Sequence, residues 1–203
     1  LFDMDNDHDL DLYVTNRPER FNKTFAQFEA EKNVNSSLSR HRLYRNEGNG
    51  KFSDISSAAG IHPNFGYGLN VIAGDFNQDG FQDLYVCNDF RWPDFYFVNQ
   101  KNGTFKESIN EFSNHISFSS MGADAGDVNN DGLEDLMVLE MRPEDYKRSK
   151  TSMPAMNPAV YDTMSRMNMH VQYMHNTLQL NRGNGFLSDI AQMTGFDKTD
   201  WSW

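Results

Sequence analysis

The chain has 203 residues, with 18 Lys and Arg against 29 Asp and Glu and a net charge of −11. That balance excludes an electrostatic grip on nucleic acid, which needs a basic surface to neutralise phosphates. One cysteine excludes an internal disulfide framework, and no transmembrane stretch of about 20 apolar residues is visible. In chain order, the first element is an acidic string, Asp3-Met4-Asp5-Asn6-Asp7-His8-Asp9-Leu10-Asp11, running into Leu12-Tyr13-Val14. A polar insertion over residues 17–40 follows, with Phe21, Phe25 and Phe28 at helical spacing, and then Leu43-Tyr44-Arg45-Asn46-Glu47-Gly48-Asn49-Gly50-Lys51-Phe52. The string recurs as Asp75-Phe76-Asn77-Gln78-Asp79-Gly80-Phe81-Gln82-Asp83 before Leu84-Tyr85-Val86, with a second hairpin-like segment from Tyr96 to Phe105. It recurs again as Asp127-Val128-Asn129-Asn130-Asp131-Gly132-Leu133-Glu134-Asp135 before Leu136-Met137-Val138, with a third such segment from Leu178 to Phe186.

The acidic strings have the spacing of a calcium loop. Calcium takes six to eight oxygens at about 2.3–2.6 Å, and a short wrapped loop supplies most of them. Side chains at positions 1, 3 and 5 point inward, position 7 offers its carbonyl, and position 9 closes the site. The expected ligands are therefore Asp75, Asn77, Asp79, the Phe81 carbonyl and Asp83; Asp127, Asn129, Asp131, the Leu133 carbonyl and Asp135; and Asp3, Asp5, Asp7, the Asp9 carbonyl and Asp11. Position 6 calls for positive φ, which Gly80 and Gly132 supply without strain. His8 occupies that position in the first loop, which ranks it below the other two. Position 12 is Val14, Val86 or Val138, so the loop lacks the glutamate of an EF-hand. Magnesium prefers fewer carboxylates, and no loop offers the Cys/His set that zinc favours.

Each unit reads as four strands: an inner strand ending at the first aspartate, the metal loop, an Asp-Leu-Tyr-Val strand, and a hairpin. In the middle unit they fall near residues 69–74, 83–88, 94–99 and 104–108. Asn49-Gly50, Asn102-Gly103 and Asn184-Gly185 predict type I′ turns. Four short antiparallel strands at a period of about fifty residues predict an all-β fold, a β-propeller of four-stranded blades with small, partly helical insertions. The blades are expected over residues 1–61, 62–115 and 116–198, with residues 199–203 opening another. Three blades are fewer than a propeller needs, so the chain is expected to be part of a larger one. Cys87, inside a strand, is expected to be a buried thiol. The insertion over residues 141–176 holds seven of the eleven methionines. Asn157-Pro158 predicts a helix start there, with Val160, Met164, Met167, Val171 and Met174 as its apolar stripe. Methionines beside His170 and His175 would suit copper, but a packing helix accounts for them better.

This combination resembles the FG-GAP/VCBS repeats of integrin-α-type propellers, through Phe65-Gly66-Tyr67-Gly68 and Ala73-Gly74-Asp75. The third unit keeps Gly122 and Ala125-Gly126-Asp127 but has Ser120-Met121 in place of the Phe-Gly pair. Leu43-Tyr44-Arg45-Asn46, Arg142-Pro143-Glu144-Asp145 and Thr199-Asp200-Trp201-Ser202-Trp203 resemble more narrowly the bacterial relatives of cartilage acidic protein that carry an ASPIC/UnbV domain. The resemblance implies a seven-bladed propeller, calcium in the loops and an extracellular or cell-surface location.

The leading functional expectation is a non-enzymatic module that binds protein or glycan through its loop faces. An enzymatic alternative, a polysaccharide lyase or hydrolase, would draw on His115, Arg91, Asp94, His170 and His175, although no spacing among them signals catalysis. A third reading is a structural spacer in a large envelope-associated assembly. Trp92, Phe95 and Tyr96 are expected to pack between blades rather than to stack on sugars.

Overall fold

The computed structural model describes residues 1–17, 40–61, 66–90, 92–151 and 158–201. Phe21, Phe25, Phe28, Phe65, Arg91 and Asn157 lie outside the described residues. The middle unit forms a four-stranded antiparallel sheet in simple sequence order: β4 (Gly68–Gly74), β5 (Asp83–Asn88), β6 (Phe95–Asn99) and β7 (Phe105–Glu107). These strands follow the expected boundaries to within one residue at every end. The first unit contributes β1 (Leu12–Val14), β2 (Arg42–Asn46) and β3 (Phe52–Asp54), with Phe2 bridged to Asp11 beside them. The third repeats the four-stranded pattern with β9 (Gly122–Gly126), β10 (Asp135–Leu139), β12 (Thr177–Asn181) and β13 (Leu187–Asp189). A two-residue parallel pair, β8 (Ile116–Ser117) with β11 (Gln172–Tyr173), joins the start of the third unit to its insertion. The fold is all-β, with propeller-like blades and few helices.

The alternation of side chains along a strand explains why these sheets stack. In β5 every residue is buried. Leu84 and Val86 face the first unit, packing with Phe2, Met4, Tyr13, Leu43, Phe97 and Phe105. Tyr85 and Cys87 face the third, packing with Phe76, Tyr96, Phe112, Leu136, Val138 and Leu187. Strands covered on both faces read as continuous apolar runs, which is the Leu-Tyr-Val-Cys pattern. Cys87 is a fully buried free thiol. Tyr96 stacks on Phe112 with ring centroids 3.6 Å apart, Phe95 packs partly buried against the first interface, and Trp92 packs on Tyr67 with Met167 and Met169. All three aromatics are structural.

Two local expectations are corrected. Gly48, Asn49 and Gly50 all have positive φ, and the Lys51 amide donates to the Gly48 carbonyl as a type I′ turn requires. In the other hairpins positive φ falls instead at Lys101 and Gly103, and at Gly183 and Gly185. There the side-chain oxygens of Asn102 and Asn184 accept the amides of Thr104 and Phe186 (3.0 and 3.1 Å). An Asx turn therefore replaces the I′ geometry. The second correction concerns the methionine helix. Among α1 (Ile109–Phe112), α2 (Tyr146–Thr151), α3 (Pro158–Arg166) and α4 (Ala191–Thr194), α3 carries Val160 and Met164 but stops short of Val171 and Met174. Asn168 turns the chain into the left-handed region at φ 52°, and the Val171 carbonyl accepts the Ile116 amide beside β8.

One buried contact recurs in every unit. The carboxylate at the ninth loop position accepts the amide of the asparagine that ends the third strand: Asp11 from Asn46, Asp83 from Asn99 and Asp135 from Asn181, at 2.8, 2.8 and 2.7 Å. Each asparagine oxygen then accepts the amide two residues on, in Gly48, Lys101 and Gly183. The asparagine side-chain amides reach further. Asn99 Nδ2 donates to the Met4 carbonyl of the first unit (2.7 Å), and Asn181 Nδ2 to the Phe76 carbonyl of the second (2.8 Å). Loss of such a residue leaves buried carbonyls unpaired, at about 1–3 kcal/mol for each group. Asn99→Ala should therefore cost about 2–4 kcal/mol in urea unfolding, and Asn46→Ala, whose side-chain contact to Leu10 is exposed, distinctly less.

Candidate metal loops and a histidine–aspartate cluster

The three acidic loops share one backbone shape. Positions four and six both take positive φ: Asn6 and His8 (61° and 73°), Gln78 and Gly80 (57° and 86°), Asn130 and Gly132 (60° and 85°). His8 thus adopts the conformation of the two glycines, so its side chain does not change the loop. The first aspartate accepts the position-six amide in each case, Asp3 from His8, Asp75 from Gly80 and Asp127 from Gly132. Position three accepts the position-five amide in Asn77 and Asn129. Position five accepts the position-seven amide in Asp7, Asp79 and Asp131. These bonds turn the side-chain oxygens toward the loop centre.

The first loop draws its carboxylates closest, with oxygens of Asp3, Asp5 and Asp11 within 4.8 Å of one another. Oδ1 of Asp3, Asp5 and Asp9 are buried with no hydrogen-bond partner among the described residues. Burial, then Asp7, Asp11 and Asp3, raise the Asp5 carboxyl above its usual range. In the second loop burial pushes Asp83 up to about 6, against the lowering bonds from the Tyr96 hydroxyl and the Asn99 amide. Lys101 Nζ stands 3.4 Å from Asp79 Oδ2, placing a cation at the rim of this loop. Successive loops also touch each other. Asn6 Nδ2 donates to the Gly80 carbonyl (2.9 Å), and Gln78 Nε2 to the Gly132 carbonyl (3.2 Å). Position four of one loop thus reaches position six of the next.

The residues considered for catalysis separate. Asp94 is fully buried, accepting the Tyr85 hydroxyl (2.6 Å), the Ser120 hydroxyl (2.5 Å) and the Asn88 amide (2.7 Å). Burial nonetheless pushes its carboxyl up to about 7. His170 Nδ1 lies 2.7 Å from Asn110 Oδ1, and burial holds its ring down to about 4. His115 and His175 come together, each with Nε2 2.9 Å from Asp189 Oδ2. Sequence reasoning named both histidines but missed Asp189. The signal was its repeat position, because Asp54, Glu107 and Asp189 all accept the amide two residues on, in Ser56, Ile109 and Ala191.

At the opposite end of each sheet from the acidic loops, a second pin caps the strand after the loop. The Asn16 amide meets His41 Nδ1, the Asn88 amide meets Asp94, and the Glu140 amide donates to Asn176 Oδ1. Here the glycines of the Phe-Gly-Tyr-Gly segment acquire a reason. A Cβ on Gly66 would lie 2.1 Å from Asn88 Oδ1, and one on Gly68 2.4 Å from the His41 ring. Two overlapping segments, residues 3–86 and 75–138, match the family profile of the FG-GAP-like repeat. The chain belongs to the FG-GAP-like repeat family. A search of curated proteins finds no match to it.

Across the FG-GAP-like repeats, Gly68 and Ser120 occupy one position, since their amides donate to the carbonyls of Asn16 and Asn88 in the preceding unit; this corrects the expectation that Ser120-Met121 stand in place of the Phe-Gly pair. The bulkier His41 demands glycine there, whereas Asp94 admits a serine whose hydroxyl it accepts. Glu140 in the third FG-GAP-like repeat is buried, and among the described residues neither carboxylate oxygen makes a well-formed hydrogen bond, with only the Met141 amide and Arg142 acting to lower its pKa. Burial raises it from 4.5 to about 7. Because the folded group holds its proton more tightly, its contribution is present below the unfolded value and is lost as pH rises through about 7. Glu140→Gln should remove this loss. Melting curves between about pH 5 and about pH 8 should show the variant gaining on the parent as pH rises, and parallel curves would refute the assignment.

Proposed function

We propose that this chain is a calcium-stabilised, non-enzymatic propeller module of an exported or cell-surface protein, and that its loop faces bind a protein or glycan ligand. The observation carrying the calcium reading is the trio of like-shaped loops, with orphaned buried oxygens on Asp3, Asp5 and Asp9 in the first. Hard oxygen donors without a nitrogen or sulfur ligand suit calcium. The holding residues would be Asp3, Asp5, Asp7 and Asp11 with the Asp9 carbonyl; Asp75, Asn77, Asp79 and Asp83 with the Phe81 carbonyl; and Asp127, Asn129, Asp131 and Asp135 with the Leu133 carbonyl. When bound, calcium supplies positive charge that offsets clustered carboxylates. The chain's own residues set the loop shape through the amide bonds above and pass it to the blade through the ninth-position aspartate.

The surface location rests on the millimolar calcium affinities of extracellular modules and on the resemblance to VCBS repeats and to bacterial relatives of cartilage acidic protein. Among the described residues no helix is long and apolar enough to cross a membrane. A binding rather than cleaving role is favoured by Asp94, which is sealed from solvent and engaged by Tyr85 and Ser120.

Thermal unfolding tests the calcium reading. Saturation of one site at about 100 times its Kd adds about 2.7 kcal/mol, or roughly 5–10 °C in a chain of this size. Chelator should lower the melting temperature by at least that amount, and millimolar calcium should restore it. Asp79→Ala and Asp131→Ala should each raise the calcium concentration required. Identical melting in calcium and chelator would overturn the proposal.

A further inference from the structure

We propose that His115, His175 and Asp189 form a binding site for a divalent first-row transition metal such as zinc, separate from the acidic loops and open to a neighbouring cavity. The two imidazoles aim Nε2 at one carboxylate oxygen, each at 2.9 Å, and the three ligand atoms all lie within 4.8 Å of one another. Metal bonds of about 2.0–2.1 Å to imidazole and carboxylate, opened by 90–109°, hold neighbouring ligand atoms about 2.9–3.4 Å apart. Both nitrogen–oxygen separations match that spacing. His175 is almost wholly buried and fixes the geometry, while His115, about a quarter exposed, can turn its ring to close the remaining gap.

Asp189 is suited to the task by the repeat itself. Its Oδ1 performs the structural duty shared with Asp54 and Glu107, accepting the amides of Ala191 and Leu178 (2.9 and 3.1 Å). Oδ2 is left facing the histidines, an arrangement found in no other described unit. In the first unit the corresponding Asp54 pairs with Arg42 instead. Burial raises the Asp189 carboxyl, but bonds from His115, His175 and the two amides outweigh it and hold the group well below the usual carboxylate range.

Two imidazoles and one carboxylate are the donor set that borderline metals prefer, and calcium does not take nitrogen ligands of this kind. Three protein ligands leave a coordination position open. The adjoining cavity, about 610 Å³, is bordered by these three residues and by Arg142, Lys150 and Tyr173. Lys150 and Arg142, the latter paired with Asp197 at 3.6 Å, line the same cavity, so an anionic group is the ligand the cavity favours.

The test is calorimetric titration of the protein with zinc while calcium is held saturating, so that the acidic loops are occupied. One saturable zinc site per chain is expected. His115→Gln and His175→Ala should each weaken it by more than the 10–100-fold typical of outer-shell changes, and His8→Gln, at an exposed histidine, should leave it unchanged. X-ray absorption of the zinc complex of the unaltered protein needs no variant to fold, and should show two imidazoles with oxygen. Absence of a saturable site, equal affinity in folded His115→Gln, or an oxygen-only zinc shell would each overturn the proposal.

Discussion

A buried hydrogen bond between the last aspartate of each acidic loop and the amide of an asparagine at the end of the neighbouring strand ties this structure together. Asp11, Asp83 and Asp135 are almost wholly inaccessible to solvent, and a buried carboxylate is tolerated only when its oxygens are used. Oδ1 takes the strand-ending amide in all three. Oδ2 takes the second amide of the loop in the first and third units and the Tyr96 hydroxyl in the second. The loop's shape is therefore coupled to strand pairing within its own sheet. Asn99 and Asn181 carry that coupling across to the loop of the preceding unit. Loop, hairpin and interface form one connected network.

The blade interfaces follow from the same register. Once the ninth-position aspartate fixes where the second strand begins, alternate residues fall on opposite faces: Leu84 and Val86 on one, Tyr85 and Cys87 on the other. A one-residue slip would exchange these sets. At the far end the pins vary in chemistry, with His41, Asp94 and Asn176 in corresponding places. The neighbouring inner strand adjusts by size, glycine against His41 and serine against Asp94.

Much of this was legible because the repeat states each element three times. The acidic spacing, the Leu-Tyr-Val strands and the four-strand unit depend on local residue order, and they stand where the pattern places them. Other features depend on partners distant in sequence. That Asn102 and Asn184 form Asx turns, unlike Asn49, depends on where their own side chains fold back. The methionine stripe overran α3 because periodicity does not register the left-handed turn at Asn168 or the pull of β8 on Val171. Asp189 was passed over because its meeting with His115 spans 74 residues. Its repeat position alone, shared with Asp54 and Glu107, was the available hint.

Loop shape and blade pairing form one coupled unit, which we propose calcium controls. The most direct test of that control is native-state hydrogen exchange at the Asn99 and Asn181 amides, the donors to Asp83 and Asp135, compared in calcium and in chelator. The account predicts that protection of these two amides falls on chelation, together with that of the loop amides of Gly80 and Gly132. Unchanged protection at Asn99 and Asn181, with loss confined to the loops, would contradict it.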